Sequence, residues 1–583
     1  MLLTVVVTSA IRNEVLTGNT NVINWDGYGY YVYLPAVFVY GDVTDYAFTD
    51  EHFEQYDISS TVYQLMETEE GGKFPIYNIG LALVWAPAFL ITHAVVAVAG
   101  IAPADGMSYP YQLAVVLVSW LIFWIGLVKM REFLLRYFSD AVVALTLVGV
   151  GLGTNLFYYA VEKPDMTHAY LFTGYAFFLN HFVKILDEEE TNGAASLRSL
   201  LGLGLIAGIL CLVRSSEIVV FAIPALYGLR NRTTLLRNFR RTLVVFLVTA
   251  ALFAAFQLGF YRVATGAWFR DGYAGLGFDW TSPHLLDGLF SYRRGWLVYT
   301  PLMVMALLGI FRLRNCWLLP ILVFTVANLY LLFSWHIWWY GNTFGSRPVV
   351  QSYAVLALPL AAFLAWVLGM FNNFSGAAAA GARKGRKAMR WGGLLLLPFI
   401  LLNLFQHWQY NQRIIPLDFT NKTYYWHVFG KTRLNPKDRV YLDTDEKLPP
   451  GNHHASLLLR QDSLPTVPPK DRREFTDLLT ATPARPPGEI WIRSHLTFAY
   501  HGERYDKWKF PSVVTEHRRG DETLKWVQVK IPPVLESPTR DSLSFALSLP
   551  DFQQGDVLKQ YVWNLSQDSM TLYHFQADLI LVE

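Results

Sequence analysis

Residues 24–31 read Asn24-Trp25-Asp26-Gly27-Tyr28-Gly29-Tyr30-Tyr31. The stretch follows a short apolar start, Met1 to Ile11, and opens a polar segment that runs to about Lys73. From there apolar runs dominate until about residue 410. An acid among aromatics and glycines at the edge of so much apolar sequence is costly unless it is paired or functional. Asp26 is therefore the first candidate for a catalytic side chain, provided that the rest of the chain builds surroundings for it.

Composition sets the frame. Of 583 residues, 53% are hydrophobic and only 16% charged. That is too little charge for a soluble chain of this length, so several membrane spans are expected. A net charge of +2 provides no basic field, and no nucleic-acid partner is expected. Cys211 and Cys316 lie in or beside apolar runs and read as buried free thiols. Met1 to Ile11 has no small-residue cleavage site after it. It has about half the roughly 20 residues that a span requires, and reads as an unusually short span or the end of a longer one.

Further apolar runs lie at about 76–100, 110–128, 140–161, 170–186, 199–213, 217–229, 242–263, 297–311, 316–334, 348–370 and 391–408. Basic loops at Lys129 to Arg136, Arg230 to Arg241, Arg312 to Arg314 and Arg383 to Arg390 belong on the cytoplasmic side. Counting parity then fails if 76–100 crosses. Pro87 divides that run, and a proline breaks a helix interior. The run is therefore expected to form a surface-lying or re-entrant helical hairpin. The result is about eleven spans, with 12–109, 162–169, 264–296, 335–347 and everything after about 409 sharing the outer face.

Past Trp408 the composition changes. Residues 411–488 read as a linker region with one short helix at 470–480, and 489–583 as an antiparallel β-sandwich, from alternating runs such as Ile490 to Ile492, Leu524 to Val529 and Leu558 to Trp563. Its Trp and Tyr residues fit core aromatics better than a sugar platform. The fold class expected is thus a polytopic α-helical membrane protein with an exported C-terminal β-sandwich, divided at 1–410, 411–488 and 489–583.

Four clusters fall in the outer loops: Asp26; Glu162-Lys163-Pro164-Asp165-Met166-Thr167-His168; Tyr292-Arg293-Arg294-Gly295-Trp296; and Trp335 through Trp338-Trp339-Tyr340-Gly341 to Arg347. Carboxylates can take a proton from an attacking hydroxyl. Arginine matches phosphate oxygens bidentately. Together they suit a reaction in which a hydroxyl attacks and a phosphate leaves. Each also has a plainer reading. Asp26 can cap a helix, with Gly27 and Gly29 serving turns. Asp165 and His168 can pair with Lys163. Arg214 and Glu217 can close a hairpin as a buried ion pair. Arg293, Arg294 and Arg347 can anchor at headgroups, and the tryptophans can form an interfacial belt.

The order of the clusters resembles the GT-C superfamily of membrane glycosyltransferases, which includes protein O-mannosyltransferases and aminoarabinose transferases. Trp25-Asp26-Gly27-Tyr28 matches the family's first-loop acid, and Glu162 to His168 its second acidic loop. Lys73-Phe74-Pro75 with Ala86-Pro87, and Trp338-Trp339-Tyr340-Gly341-Asn342-Thr343-Phe344-Gly345-Ser346-Arg347, are similar to further family stretches. Arg294 departs from the pattern, where related bacterial sequences often carry a histidine. The resemblance covers about 1–410. It implies inverting transfer of a sugar from a polyprenyl-phosphate donor to a lipid, glycan or protein acceptor at the periplasmic face of a bacterial inner membrane. It makes Asp26 the general base, assisted by Asp165 and His168. It makes Lys73, Arg214, Arg293, Arg294, Trp339 and Arg347 substrate-binding. It leaves open a divalent metal on Asp26 and Asp165, with no other cofactor expected, and the sequons at Asn421 and Asn564 as incidental. The other readings carried forward are a transporter or flippase of a lipid-linked sugar, and a non-catalytic scaffold with a binding β-domain.

Overall fold

The computed structural model describes residues 1–59, 61–69, 71–229, 231–273, 276–313, 315–341, 343–369, 382–416, 420–434, 438, 442–444, 446, 448–449, 453–461, 474–484, 489–501, 511–531, 541–549, 551–565 and 569–582. Arg230 and Arg314 of the basic loops, Asn342 of the aromatic stretch and Ser566 of the second sequon lie outside them. The chain divides into two units, Met1–Trp408 and Gln409–Glu583.

The first unit is helical. Among the described residues, six helices are long and apolar enough to cross a membrane: Gly80–Ala99, Tyr109–Leu135, Arg232–Thr265, Cys316–Phe333, Arg347–Val367 and Lys387–Asn411. Shorter apolar helices, among them Asp140–Leu152 and Leu197–Val213, stand where the sequence suggested full spans. Two expected spans are interrupted. The 140–161 run divides at Gly153 into Asp140–Leu152 and Leu156–Val161. The 297–311 run divides into Trp296–Tyr299 and Met303–Ile310 around Thr300 and Pro301.

The expected break at Pro87 is corrected: Gly80–Ala99 is one helix with Pro87 inside it. A proline removes one backbone donor. In apolar surroundings the remaining helical bonds have no water to exchange with, so the helix persists. Its buried residues, Trp85, Phe89 and Val96 among them, hold it against the rest of the unit.

The helix Tyr353–Val367 is almost wholly buried and lies at the centre of the unit. Small residues let neighbours approach closely, as membrane helix packing requires. A Cβ added at Gly309 would lie 1.9 Å from the Pro359 carbonyl oxygen, and one at Gly80 would lie 2.2 Å from the Leu212 carbonyl carbon.

Among its described residues, the second unit holds two four-stranded antiparallel sheets. The strands are β3 (His453–Gln461), β4 (Phe475–Ala481), β5 (Glu489–Tyr500), β6 (Pro511–Arg519), β7 (Glu522–Lys530), β8 (Asp541–Ser548), β9 (Val557–Asn564) and β10 (Met570–Val582), and β1 (Leu65–Glu67) and β2 (Lys73–Pro75) form a separate ribbon in the first unit. The orders are β3-β10-β5-β8 and β4-β9-β6-β7. Alternate residues of β9 are buried, as a half-buried strand demands. Leu496, Val513, Leu558 and Phe575 belong to one apolar core. Gln560 is buried too, and it is satisfied by Ser494 Oγ and Thr515 Oγ1.

Two sequence readings are corrected here. The region taken as linker contributes β3 and β4, and the helix expected at 470–480 is strand from Phe475. Its composition is poor in long apolar runs, but Leu478 and Leu479 still reach the core. The aromatics divide. Trp491 and Tyr500 are buried, whereas Phe475 and Trp526 are about half exposed and Phe475 stacks on Trp563 with centroids 6.0 Å apart.

Gly309→Ala should lower the thermal unfolding midpoint in detergent, with overpacking costing about 1–3 kcal/mol. Gly393→Ala, where an added Cβ meets nothing within 4 Å, should leave the midpoint unchanged or slightly raised.

Candidate active site

Asp26 begins the short helix Asp26–Tyr31. The residue before it, Trp25, has φ 48° and ψ −127°, a region that non-glycine residues rarely occupy. Such a conformation costs about 1–3 kcal/mol and persists only where the surroundings over-determine it. Here Trp25 N–H donates to the Ile58 carbonyl at 2.9 Å, and Gln64 Nε2 donates to the Trp25 carbonyl at 3.2 Å. The strained residue aims the first turn of the helix.

Both oxygens of Asp26 are engaged. Tyr63 donates to Oδ1 at 2.5 Å, and Arg347 Nη1 donates to Oδ2 at 2.6 Å. Both partners of the ion pair are largely buried, with 15% of the Asp26 side chain and 20% of the Arg347 side chain exposed. Burial pushes the Asp26 carboxyl up. The Arg347 charge and the hydrogen bonds of Tyr63, Tyr77 and Arg347 outweigh that and hold it down at about 2.

Arg347 is delivered by a shaped loop. Phe344 is buried against the rings of Tyr158, Tyr299 and His407. Gly345 takes φ +63°, which a side chain would resist, and an added Cβ would lie 3.1 Å from Tyr299. Asn155 Nδ2 donates to the Phe344 carbonyl at 3.2 Å. The 3-10 turn Arg347–Ser352 follows, with Pro348 at its start.

Asp165 packs directly on the Asp26 helix. A Cβ at Gly27 would lie 1.8 Å from Asp165 Oδ2, and one at Gly29 would lie 2.3 Å from the Tyr77 ring. The two glycines thus serve close approach rather than turns. Asp165 is fully buried, and no side chain bonds its carboxylate among the described residues. Burial pushes its carboxyl up to about 6, against the Lys163 charge and the backbone N–H groups of Asp165 and Asn24; the Asp26 charge adds to the rise. Two neighbouring carboxylates are therefore driven apart in pKa by their surroundings, a pattern typical of sites that move protons.

The Glu162 to His168 cluster separates. Glu162 is taken up structurally by Arg12 at 2.7 Å and His407 at 3.3 Å. Lys163 donates to Asn24 Oδ1 at 2.7 Å; its charge reaches Asp165, but among the described residues it makes no ion pair with Asp165 or hydrogen bond to His168. His168 is buried, faces Gln351 at 3.1 Å and meets the Tyr159 ring with centroids 4.5 Å apart. The charges of Arg214, Arg347 and Asp26 all reach it.

The remaining candidates are spread out. Arg293 lies over the Trp339 ring at 3.6 Å, so two residues singled out separately are engaged with each other. Arg294 is buried and donates to the Arg293 carbonyl. Arg214 follows the helix Leu197–Val213; among the described residues Glu217 has no ion pair with it, and takes hydrogen bonds from Tyr175, Gln351 and Ser216 instead. Lys73 sits in β2 opposite Glu67, with no hydrogen bond or ion pair to Asp26 among the described residues. Tyr63, Tyr77 and Gln351 were not singled out in the sequence, and Glu217 was named there only as an ion-pair partner of Arg214. For a metal, the donor set is thin: Asp26 is tied to Arg347, and no group of three or more His, Cys, Asp or Glu is gathered among the described residues.

No family model and no curated protein matches the chain. Solved structures resemble it weakly. The oligosaccharyltransferase of Archaeoglobus fulgidus in its apo form is similar with a TM-score of 0.42 at 11% identity, over 74% of this chain and 58% of that one. The same organism's AglB, in complex with an inhibitory peptide and a dolichol-phosphate, gives 0.41 at 12% identity over the same shares. The arabinosyltransferase EmbB of Mycobacterium smegmatis gives 0.39 at 12% identity, over 100% of this chain and 64% of that one. The chain thus spans 58% of the length of the archaeal enzymes, and no residue role is carried over from them.

The raised Asp165 carboxyl fixes the sign of a stability effect. Its folded pKa lies above the unfolded value, so the fold favours the protonated form. The group is without cost below about pH 4 and destabilises increasingly as pH rises toward and past 6, by about 3 kcal/mol at the upper end. Asp165→Asn should therefore raise the unfolding midpoint at pH 8 and change it little at pH 4.

Proposed function

We propose that this protein is an integral-membrane glycosyltransferase that moves a sugar from a polyprenyl-phosphate donor to an acceptor hydroxyl. The observation that carries the reading is the Asp26–Arg347 pair, with Asp165 packed on Gly27 beside it. A buried carboxylate and a buried arginine in contact provide the two partners that the reaction needs, a proton acceptor and a phosphate binder.

The step is an in-line displacement. The acceptor oxygen attacks the anomeric carbon, the bond from that carbon to the phosphate oxygen breaks, and the polyprenyl phosphate leaves with the bonding pair. The acceptor proton passes to a carboxylate, and the configuration inverts. In the free protein Asp26 is a weak base because Arg347 neutralises it. A phosphate competing for the guanidinium would free Oδ2 and strengthen the base. Asp165 has the better pKa for the task, but it is closed off, whereas Asp26 retains some exposure. Accessibility comes before pKa in choosing a base, so Asp26 takes that role and Asp165 supports it. Arg347 holds the phosphate, and the Arg293–Trp339 stack offers an aromatic face for a sugar ring. An open apolar groove of about 360 Å³, lined by Ile218, Phe221, Phe239, Thr242, Leu243 and Phe246, begins one residue from Glu217 and suits the lipid tail. The setting proposed is a bacterial inner membrane with the site and the β-domain on the periplasmic side.

Purified protein in nanodiscs should transfer labelled sugar from one of a panel of polyprenyl-phosphate hexoses and pentoses. Asp26→Asn should reduce kcat by about 10²–10⁴-fold, with the fold checked by its unfolding midpoint. Transfer undiminished in Asp26→Asn and lost in Asp165→Asn would reverse the two roles.

A further inference from the structure

Gln351 lies four residues after Arg347, in the turn Arg347–Ser352, and is buried. Its amide sits between Glu217 and His168. Nε2 donates to Glu217 Oε1 at 2.9 Å, and Oε1 faces His168 Nδ1 at 3.1 Å. Glu217 also accepts from the Tyr175 hydroxyl at 2.7 Å and the Ser216 hydroxyl at 3.2 Å.

With Glu217 ionised, the direction of every bond in this chain follows from chemistry. An ionised carboxylate only accepts, and three donors converge on Glu217. Gln351 must therefore offer it the NH2 group, which turns the amide oxygen toward the imidazole. An amide oxygen only accepts, so His168 Nδ1 carries the hydrogen. Assigning a tautomer from its network in this way is the standard logic for side chains whose hydrogens are not seen. Burial, with the positive charges of Arg214 and Arg347, holds the ring well below its ordinary pKa and so keeps it neutral. Nε2 is then a lone pair. It is buried and has no hydrogen-bond partner among the described residues. A buried acceptor without a donor is rare in a folded protein and calls for one.

We propose that His168 Nε2 is a built acceptor for a substrate hydroxyl, held in that tautomer by the Tyr175–Glu217–Gln351 chain. The amide that orients this ring stands four residues after Arg347 in the same turn, so the hydroxyl is assigned to a molecule bound at the Asp26–Arg347 site. Polyprenyl chains and phosphate monoanions in ester linkage present few O–H groups, whereas sugars present several. The ligand class is therefore a polyol, either the transferred sugar or a sugar acceptor. Gln351, Glu217 and Tyr175 are positioning residues: they touch no substrate and act through the imidazole. The identity of the hydroxyl rests on the glycosyl-transfer reading, while the tautomer does not.

The test uses the full chain in nanodiscs with nitrogen-15-labelled histidine, the His168 signals being assigned by their loss in His168→Phe. Wild type should show Nδ1 protonated and Nε2 unprotonated; a protonated Nε2 overturns the proposal. Gln351→Leu should give a mixture of both tautomers, and retention of the wild-type pattern there overturns the positioning role. Gln351→Glu, protonated beside Glu217, keeps a carbonyl toward Nδ1 and should restore the wild-type pattern. Three additions then identify the hydroxyl: bare polyprenyl phosphate, the polyprenyl-phosphate hexoses and pentoses, and soluble methyl glycosides. A shift of Nε2 with the glycosylated donors alone assigns it to the transferred sugar. A shift with the methyl glycosides alone assigns it to the acceptor. A shift with bare polyprenyl phosphate, or no shift with any of the three additions, overturns the acceptor role. Absence of transfer from every donor, with the tautomer as expected and a shift on methyl glycosides, would remove the glycosyl-transfer reading and leave the polyol site standing.

Discussion

The ion pair between Asp26 and Arg347 joins residues 321 apart in the chain. Each charge would be expensive to bury alone, and removing one partner of such a pair typically costs about 3–5 kcal/mol. The pair therefore requires the first polar segment, the loop before residue 347 and the start of the turn Arg347–Ser352 to stay in register. The local devices serve that requirement. Trp25 holds a strained backbone so that the helix begins at Asp26, and Gly345 takes a left-handed conformation so that the chain can turn into Arg347. Tyr63 and Tyr77 then complete the carboxylate's shell.

Around this pair the protein keeps two acids in different states. Asp26 faces an arginine and tyrosine hydroxyls and stays ionised. Asp165, wedged on the Gly27 backbone without a side-chain partner, is held near the point of taking a proton. The difference comes from surroundings alone, since the two side chains are chemically identical. His168 adds a third state, a neutral ring whose polarity is set by the Gln351 amide. One turn thus carries both the partner of Asp26 and the orienting group of His168, four residues apart.

Much of this was legible in the sequence, for physical reasons that differ from case to case. The apolar runs announced helices because a buried or lipid-facing helix leaves no alternative composition, and the alternation from Glu489 announced strands. Asp26, Asp165, His168 and Arg347 stood out because polar groups flanking apolar runs are rare. Tyr63, Tyr77, Gln351 and Glu217 did not stand out as a group, because they are brought together only by the fold. Pro87 misled, since its cost is one hydrogen bond and the packing of Trp85 and Phe89 exceeds it. β3 and β4 escaped because charged and proline-rich neighbours diluted their alternation. Arg293 and Trp339 read as separate substrate contacts, but an arginine and a tryptophan within reach satisfy each other.

The contact between Gly27 and Asp165 has a bearing on how such a chain can diverge. Position 27 has no room for a β-carbon while an aspartate stands at 165, and the shortest gap is to the carboxylate oxygen itself. A lineage that placed alanine or serine at 27 would have to shorten or displace the acid beforehand or in the same step. Position 27, 138 residues away by its numbering, is therefore free to change only once position 165 has changed or as it does, whereas 165 can change first. Whether position 27 tolerates a side chain thus depends on which residue stands at 165.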